Sequence, residues 1–486
     1  MIKNKAIVIT STIFIVCLSF TLTTDAAQTT TPEASIEQKA ASLLQGQEME
    51  GDWGGILAGS LRLNLHVKKS PDGAYTAILE SIDQGNAMIP VDKLKVSADH
   101  LTLFVAAVHG SYVAKWDDKA KVWVGTWKQG QELPLTLARV TGDIPKARRP
   151  QEHAIETSPL PYDRHEVTFD GGESNVKLAG TISTPQGKGP FPTVLLVAGS
   201  GPQTRDEDVA GHKVFLVLSD YLTKRGIAVL RYDKRGIGKS SGDYTTATTA
   251  EFTADAKAAV VYLRSRSDID LRHIGLIGHS EGGEIVPAVA AQDTNVSFIV
   301  LLAGPGIRGD KLLAEQIYLI DKASGTPEAH GTIDRKTNQE IFTAIADAPN
   351  ESEAKIKATL LFSKAVEEHR VFEDIDKAKA SLQTLTSPWM RYFLGYDPVP
   401  MLRRVKVPVL ALNGSLDLQV PPEEDLDAIK EALGDNKDVT VMELPKLNHL
   451  FQSAGTGSPV EYGVIEETIN PAALNIIGDW VSSRTK

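Results

Sequence analysis

The chain has 486 residues, more than one domain of ordinary size holds, so two or three domains are expected. Hydrophobic residues make up 42% and charged residues 23%, the balance of a globular protein rather than a disordered one. A formal net charge of −11 argues against nucleic acid and anionic membrane surfaces as main partners.

Lys3 and Lys5 precede an apolar run over residues 6–18, and small residues follow at Thr24, Ala26 and Ala27. A basic start, an apolar stretch and a small-residue cleavage site predict a secretory signal peptide over residues 1–27, the alternative being an uncleaved anchor. The single cysteine, Cys17, lies inside that run, so the processed chain has no thiol for a disulfide, a thiolate metal site or a nucleophile. No other stretch approaches the roughly 18 apolar residues of a membrane-spanning helix. The expectation is an exported protein, periplasmic or secreted, with no membrane span after cleavage.

Residues 28–48 are rich in Thr, Ala and Gln and read as a linker or short helix. Residues 49–143 alternate apolar and polar positions in short runs, such as "SLRLNLHV" at 60–67 and "LTLFV" at 101–105, separated by turn signals such as "PDG" and "DQGN". Period two between turn residues predicts antiparallel strands with one wet face. Four of the six tryptophans (Trp53, Trp116, Trp123, Trp127) fall here, and "GDWGG" and "VGTWKQGQELPLTL" read as the opening and closing strands of a small barrel or half-barrel. No polar constellation suited to chemistry appears in this segment, which predicts a structural or docking module.

The proline- and charge-rich stretch "IPKARRP" marks a linker, taken as residues 144–160. Beyond it, strand and helix patterns alternate: strands near 165–169, 177–183, 193–198, 227–231, 274–278, 297–302, 408–412 and 438–443, with helices near 211–225, 250–266, 281–291, 424–433 and 471–483. Buried strands alternating with amphipathic helices predict a mostly parallel eight-stranded α/β sheet covered on both faces, over residues 161–486. The first two strands, separated by Asp170, Gly171 and Gly172, predict an antiparallel edge hairpin. Between about residues 307 and 404 the strand signal gives way to helical patterns, which predicts a helical lid inserted between consecutive sheet strands.

The segment "GLIGHSEGGEIV" at 275–286 runs an apolar strand into a serine with glycines at −2 and +2, followed by a helical pattern. Such a strand–turn–helix elbow lifts a serine hydroxyl above the sheet edge at a helix N-terminus. A serine needs a base, and the base an orienting carboxylate. Asp417 follows a late strand within "NGSLDLQVPP", and His449 follows the next within "LPKLNHLFQ", so the predicted triad is Ser280, Asp417 and His449 in that chain order. Asp425 and Asp427 are the competing acids, but both fall in a helical pattern. His279 reads as a packing residue under the elbow. Two backbone donors would form an oxyanion hole: the amide of Glu281, and that of Ser200 in "AGSGPQTRDED", with Gly201 as runner-up. The charge run of Arg205, Asp206, Glu207 and Asp208 reads as a solvated or loop-bracing face.

Together these residues resemble the α/β-hydrolase superfamily, from about residue 160 to the C-terminus. "YDKRGIGKSSG" at 232–242 is similar to the loop those enzymes carry after the fourth strand. "AGSGPQTRDE", "GHSEGG", "SPWMRYFLGYDP" and "LNGSLDLQVPP" resemble a bacterial carboxylesterase branch, serine aminopeptidase-like. The N-terminal strands resemble a lipocalin-like β module, mainly through "GDWGG". The resemblance implies hydrolysis of small-molecule acyl esters through an acyl-enzyme, with no metal and no organic cofactor. Trp389, Phe393 and Tyr396 would line an apolar acyl pocket under the lid or else pack it onto the body. Two other readings stand beside this one. One is a peptidase that holds a substrate ammonium on lid carboxylates such as Glu367 and Glu368. The other is a binding protein that uses the N-terminal module.

Overall fold

The computed structural model describes residues 49–57, 61–71, 73–82, 87–97, 99–108, 110–129, 131–142, 149–368 and 382–486. The expected signal peptide, the linker at 28–48, the turn at 83–86 and the lid stretch 369–381 lie outside the described residues. The described residues fall into two compact units, one before and one from Arg149 onward.

The first unit is one antiparallel sheet built from β1 (Gly51–Leu57), β2 (Leu61–Lys69), β3 (Tyr75–Ser81), β4 (Ala87–Pro90), β5 (Lys93–Val96), β6 (His100–Val105), β7 (Gly110–Asp117), β8 (Val122–Gln129) and β9 (Gln131–Arg139). The order is β4-β3-β2-β1-β9-β8-β7-β6-β5, so the opening and closing strands pair, Trp53 opposite Arg139. The two edges, β4 and β5, are joined only by Val91 and Asp92. Those amides donate to Ala77 of β3 and Phe104 of β6. Two residues span well under 10 Å, so the sheet curls until its edges meet. Alternation sends every second residue inward, where Leu65, Leu101, Leu103, Tyr112, Trp123 and Trp127 are buried. The Trp53, Trp116 and Trp123 rings touch edge to face or tilted, with centroids 5.1–6.5 Å apart.

The second unit opens with α1 (Pro150–Thr157), where the sequence reading expects a linker. Proline at the first helical position is favourable, and tertiary bonds hold the short helix in place. Gln151 Oε1 accepts from the amides of Thr468 and Ile469, and buried Glu152 accepts from the Lys213 amide and the Thr468 hydroxyl. Then come β10 (Tyr162–Asp170), β11 (Lys177–Pro185), β12 (Phe191–Val197), a two-residue hairpin β13 (Asp208–Val209) and β14 (His212–Lys213), α2 (Val214–Thr223), β15 (Ala228–Tyr232), α3 (Thr249–Arg264), β16 (Ile269–His279), α4 (Gly282–Ala290) and β17 (Phe298–Leu302). The C-terminal part adds β18 (Val409–Gly414), α10 (Pro422–Ala432), β19 (Val439–Leu444) and α11 (Pro471–Ser483). The sheet order is β10-β11-β15-β12-β16-β17-β18-β19; β10 and β11 form the antiparallel edge hairpin, and the strands from β15 onward run parallel.

Strands buried on both faces need two helical layers. On one side α3, α4 and α10 contribute Phe252, Ile285, Val289 and Ile429 to a shared core. On the other, α2 and α11 contribute Phe215, Leu218, Leu474 and Ile477. Between β17 and β18 the described residues form the expected helical insertion: α5 (Gly309–Ala323), α6 (Glu328–Ala346), α7 (Glu351–Glu367), α8 (Pro388–Gly395) and the short α9 (Val399–Leu402). It has a core of its own, with Leu312, Ile317, Phe342, Ile345 and Leu394, and Trp389 packs against both this core and the sheet side.

Candidate active site

Ser280 stands in the turn between β16 and α4 with φ +52°, a left-handed conformation that costs a residue with a Cβ about 1 kcal/mol or more. The turn is forced by close approach. A Cβ on Gly278 would lie 2.0 Å from the Gly282 carbonyl oxygen, and one on Gly282 would lie 2.1 Å from that of Val197. Glycines at −2 and +2 are therefore required because no side chain fits. The Ser280 amide donates to Leu302 of β17 at 2.9 Å, fixing the elbow to the neighbouring strand.

Asp417 lies in the loop after β18, with its Oδ1 accepting from the Gln419 and Val420 amides at 2.8 and 2.9 Å. Its Oδ2 is 2.8 Å from Nδ1 of His449, in the loop after β19. Both side chains are at most 5% exposed, so little water competes for this bond. The histidine turn is shaped by buried Asn448, whose Oδ1 accepts from the Leu450 and Gln452 amides. Among the competing acids, Asp425 is committed elsewhere: its Oδ1 accepts from the Gly306 and Ile307 amides, and burial pushes its carboxyl up to about 7. Asp427 is exposed. Nδ1 held by a carboxylate leaves Nε2 of His449 as the nitrogen able to take a proton.

A Cβ added to Gly199 would lie 3.0 Å from that of Ser280, so the loop after β12 passes directly beside the serine. The Gly199 amide is already used, donating to Glu207 Oε1 at 2.6 Å. The amides of Ser200 and Glu281 donate to no protein acceptor among the described residues. Among the described residues both amides, one in the loop that passes the serine and one directly after it, are therefore free to bind a ligand oxygen.

The side chain of Glu281 serves a different purpose. It is buried, and its carboxylate accepts from Lys234 Nζ (2.8 Å), Thr249 Oγ1 (2.7 Å) and Trp389 Nε1 (2.7 Å). Lys234 belongs to the "YDKRGIGKSSG" loop, in which Asp233 also binds Arg205 through both carboxylate oxygens. Trp389 thus spends its polar edge on the residue after the serine while its ring stacks on Phe393, centroids 5.4 Å apart. Tyr396 stacks on Tyr392 instead, at 5.9 Å. In the first turn of α4, Glu284 is buried, and neither carboxyl oxygen is bonded among the described residues. Burial first, then the charges of Glu281 and Asp425, hold its carboxyl well above the usual range. The lid carboxylates Glu367 and Glu368 are exposed at the end of α7.

The charge run that follows the loop after β12 braces rather than solvates. Arg205 bonds Asp233, Glu166 and Thr181, Asp206 pairs with buried Arg231, and Glu207 is 1% exposed. Glu207 Oε1 is also 3.0 Å from His279 Nδ1, and His279 Nε2 donates to the His449 carbonyl at 3.0 Å. Sequence reasoning took Glu207 only as part of a solvated or loop-bracing charge run and gave no role to Lys234 or Thr249. The available signal was the place of Glu207 just past the loop that flanks the serine.

A mostly parallel sheet with helices on both faces and a serine at the strand–helix elbow defines an α/β hydrolase. A family model described as X-Pro dipeptidyl-peptidase (S15 family) matches residues 170–441, and the chain belongs to that family. It is 27% identical over 327 residues to esterase EstD of Thermotoga maritima, covering 66% of this chain and 68% of the relative. It is 25% identical over 232 residues to esterase FrsA of Klebsiella pneumoniae, covering 43% of this chain and 52% of the relative. A Pyrococcus furiosus esterase structure aligns with 72% of this chain and 97% of its own at 18% identity, with a TM-score of 0.42. The protein is a serine hydrolase.

Proposed function

We propose that the protein is a serine esterase that cleaves small-molecule carboxylic esters through an acyl-enzyme. Ser280 attacks the ester carbonyl, and His449 takes the hydroxyl proton and returns it to the leaving alcohol. Asp417 holds the imidazole tautomer, and the Ser200 and Glu281 amides receive the oxyanion. Water then attacks the acyl group by the same route in reverse. The observation that carries this reading is the buried 2.8 Å bond between His449 and Asp417, in loops after β19 and β18 that end at the same sheet edge as the Ser280 elbow. The similarity to EstD supports esters as the substrate class.

A second reading, peptide hydrolysis, is favoured by the family match, whose described activity is release of X-Pro dipeptides. The two separate in one screen: p-nitrophenyl esters of graded acyl length against aminoacyl- and X-Pro-nitroanilides, with Ser280→Ala as control. Turnover of esters alone supports the esterase, and turnover of nitroanilides alone replaces it with the peptidase. No ester turnover by the purified protein would overturn the first reading. Export belongs to the proposal too, resting on the basic, apolar and small-residue pattern of residues 1–27. Cell fractionation with N-terminal sequencing checks it.

A further inference from the structure

Three segments must be in register for the proposed chemistry: the loop after β12, the serine elbow and the histidine loop. They meet at one buried pair outside the triad. Glu207 Oε1 accepts from the Gly199 amide at 2.6 Å, in the residue next to the Ser200 donor, and lies 3.0 Å from His279 Nδ1. His279 immediately precedes the serine, and its Nε2 donates to the His449 carbonyl at 3.0 Å. Both side chains are at most 4% exposed. Glu207 is held at φ +49°, a conformation retained only where the surroundings demand it. Among the described residues its Oε2 has no partner, so Oε1 alone joins the two segments.

The ring chemistry follows from the partners. A carbonyl oxygen only accepts, so Nε2 must carry a proton. Nδ1 faces a carboxylate oxygen that already accepts from Gly199. An imidazolium satisfies both bonds, and the carboxylate balances its charge. We propose that Glu207 and His279 form a buried carboxylate–imidazolium clamp that positions the oxyanion loop and the His449 loop around Ser280. Both are positioning residues, acting through Gly199 and through the His449 main chain. The titratable groups facing His279 are Glu207 from the loop before β13, and His449, with Asp417 behind it, from the loops after β19 and β18. Burial disfavours the charged ring, but the Glu207 charge and the two hydrogen bonds outweigh it, and His279 titrates above its ordinary value.

This inference rests on the esterase reading, and the experiment separates the two. In Ser280→Ala protein labelled with nitrogen-15 at histidine, NMR at pH 7 should show both ring nitrogens of His279 protonated, whatever the enzyme hydrolyses. A singly protonated ring overturns the clamp. In otherwise wild-type protein, Glu207→Gln keeps the shape and removes the charge. It should lower kcat about ten- to a hundredfold with KM changed little, since a misplaced oxyanion donor weakens only the transition state. His279→Gln alone sets an amide oxygen against one of two acceptors, the Glu207 carboxylate or the His449 carbonyl, and should lose as much. Folded single variants with unchanged kcat overturn the proposal. Absence of ester turnover in wild-type protein would count against the esterase reading, and the NMR result would stand by itself.

Discussion

Ser280 is held between a left-handed backbone and two glycines that nothing larger can replace, so the residue scale is where the chemistry is most constrained. Fluorophosphonate is expected to label the wild type once and to leave Ser280→Ala unlabelled. Asp417→Asn retains the backbone bonds of its loop but presents an amide nitrogen or a wrong tautomer to His449. Its kcat on a p-nitrophenyl ester should fall by about three to four orders of magnitude with little change in melting temperature. Glu284 makes the pH prediction. Its carboxyl is raised by burial, so the folded state keeps a proton that the unfolded chain releases at ordinary carboxylate pH. Stability should therefore decline as pH rises above about 4.3, by at most about 1.4 kcal/mol per pH unit until the folded-state value is passed. Glu284→Gln removes that dependence. Its melting temperature relative to wild type should rise between pH 5 and pH 8 by calorimetry; an unchanged difference would show that Glu284 is not buried as an acid.

At the scale of elements, α8 decides what the lid contributes. Ser387 caps it, accepting from the Met390 amide, and Pro388 opens it, so the helix starts where its sequence directs. Its Trp389 reaches Glu281 and packs on Phe393 at once. Trp389→Phe keeps the stacked ring but removes a bond to a buried carboxylate, a loss of about 1.5–3 kcal/mol read as a lower melting temperature, with the acyl-length profile unchanged. Trp389→Ala also opens space beside the elbow. If that space belongs to the acyl pocket, the optimum on p-nitrophenyl esters moves to longer chains, each added methylene contributing roughly 0.8 kcal/mol, about fourfold in specificity. A Trp389→Ala profile identical to wild type would assign Trp389 to lid packing alone.

For the whole molecule, the two compact units carry separate cores, and every proposed catalytic residue lies from Arg149 onward. The boundary for a shortened chain is set by α1. Arg149 donates to the carbonyls of Ala210, Gly463 and Ile465, and Gln151 and Glu152 bind Thr468, so a start inside α1 would strip those partners. A chain beginning at Arg149 or a few residues earlier should fold and retain turnover of a small soluble ester within about threefold of full length. A folded but inactive product would mean that the β unit completes the active site.

Much of this was legible in the sequence because it is local. Period-two and helical patterns marked the strands and helices of the sheet to within a few residues, except at β16, which begins five residues earlier, at Ile269. The two glycines around Ser280 declared a turn too tight for side chains, and the order of strands directed attention to Asp417 and His449. The β edges, α1 and the bracing of the elbow were not legible, because they depend on partners distant in the chain. β4 and β5 give no sign that they are edges until the sheet curls. The linker composition of residues 144–160 concealed a helix held by residues more than 300 positions away. Glu207 and His279 are 72 residues apart, His279 and His449 170, and Trp389 and Glu281 108. A buried charge is tolerated only where a partner meets it, and sequence pattern carries no record of which distant loop supplies that partner; the packed tertiary structure alone makes the match.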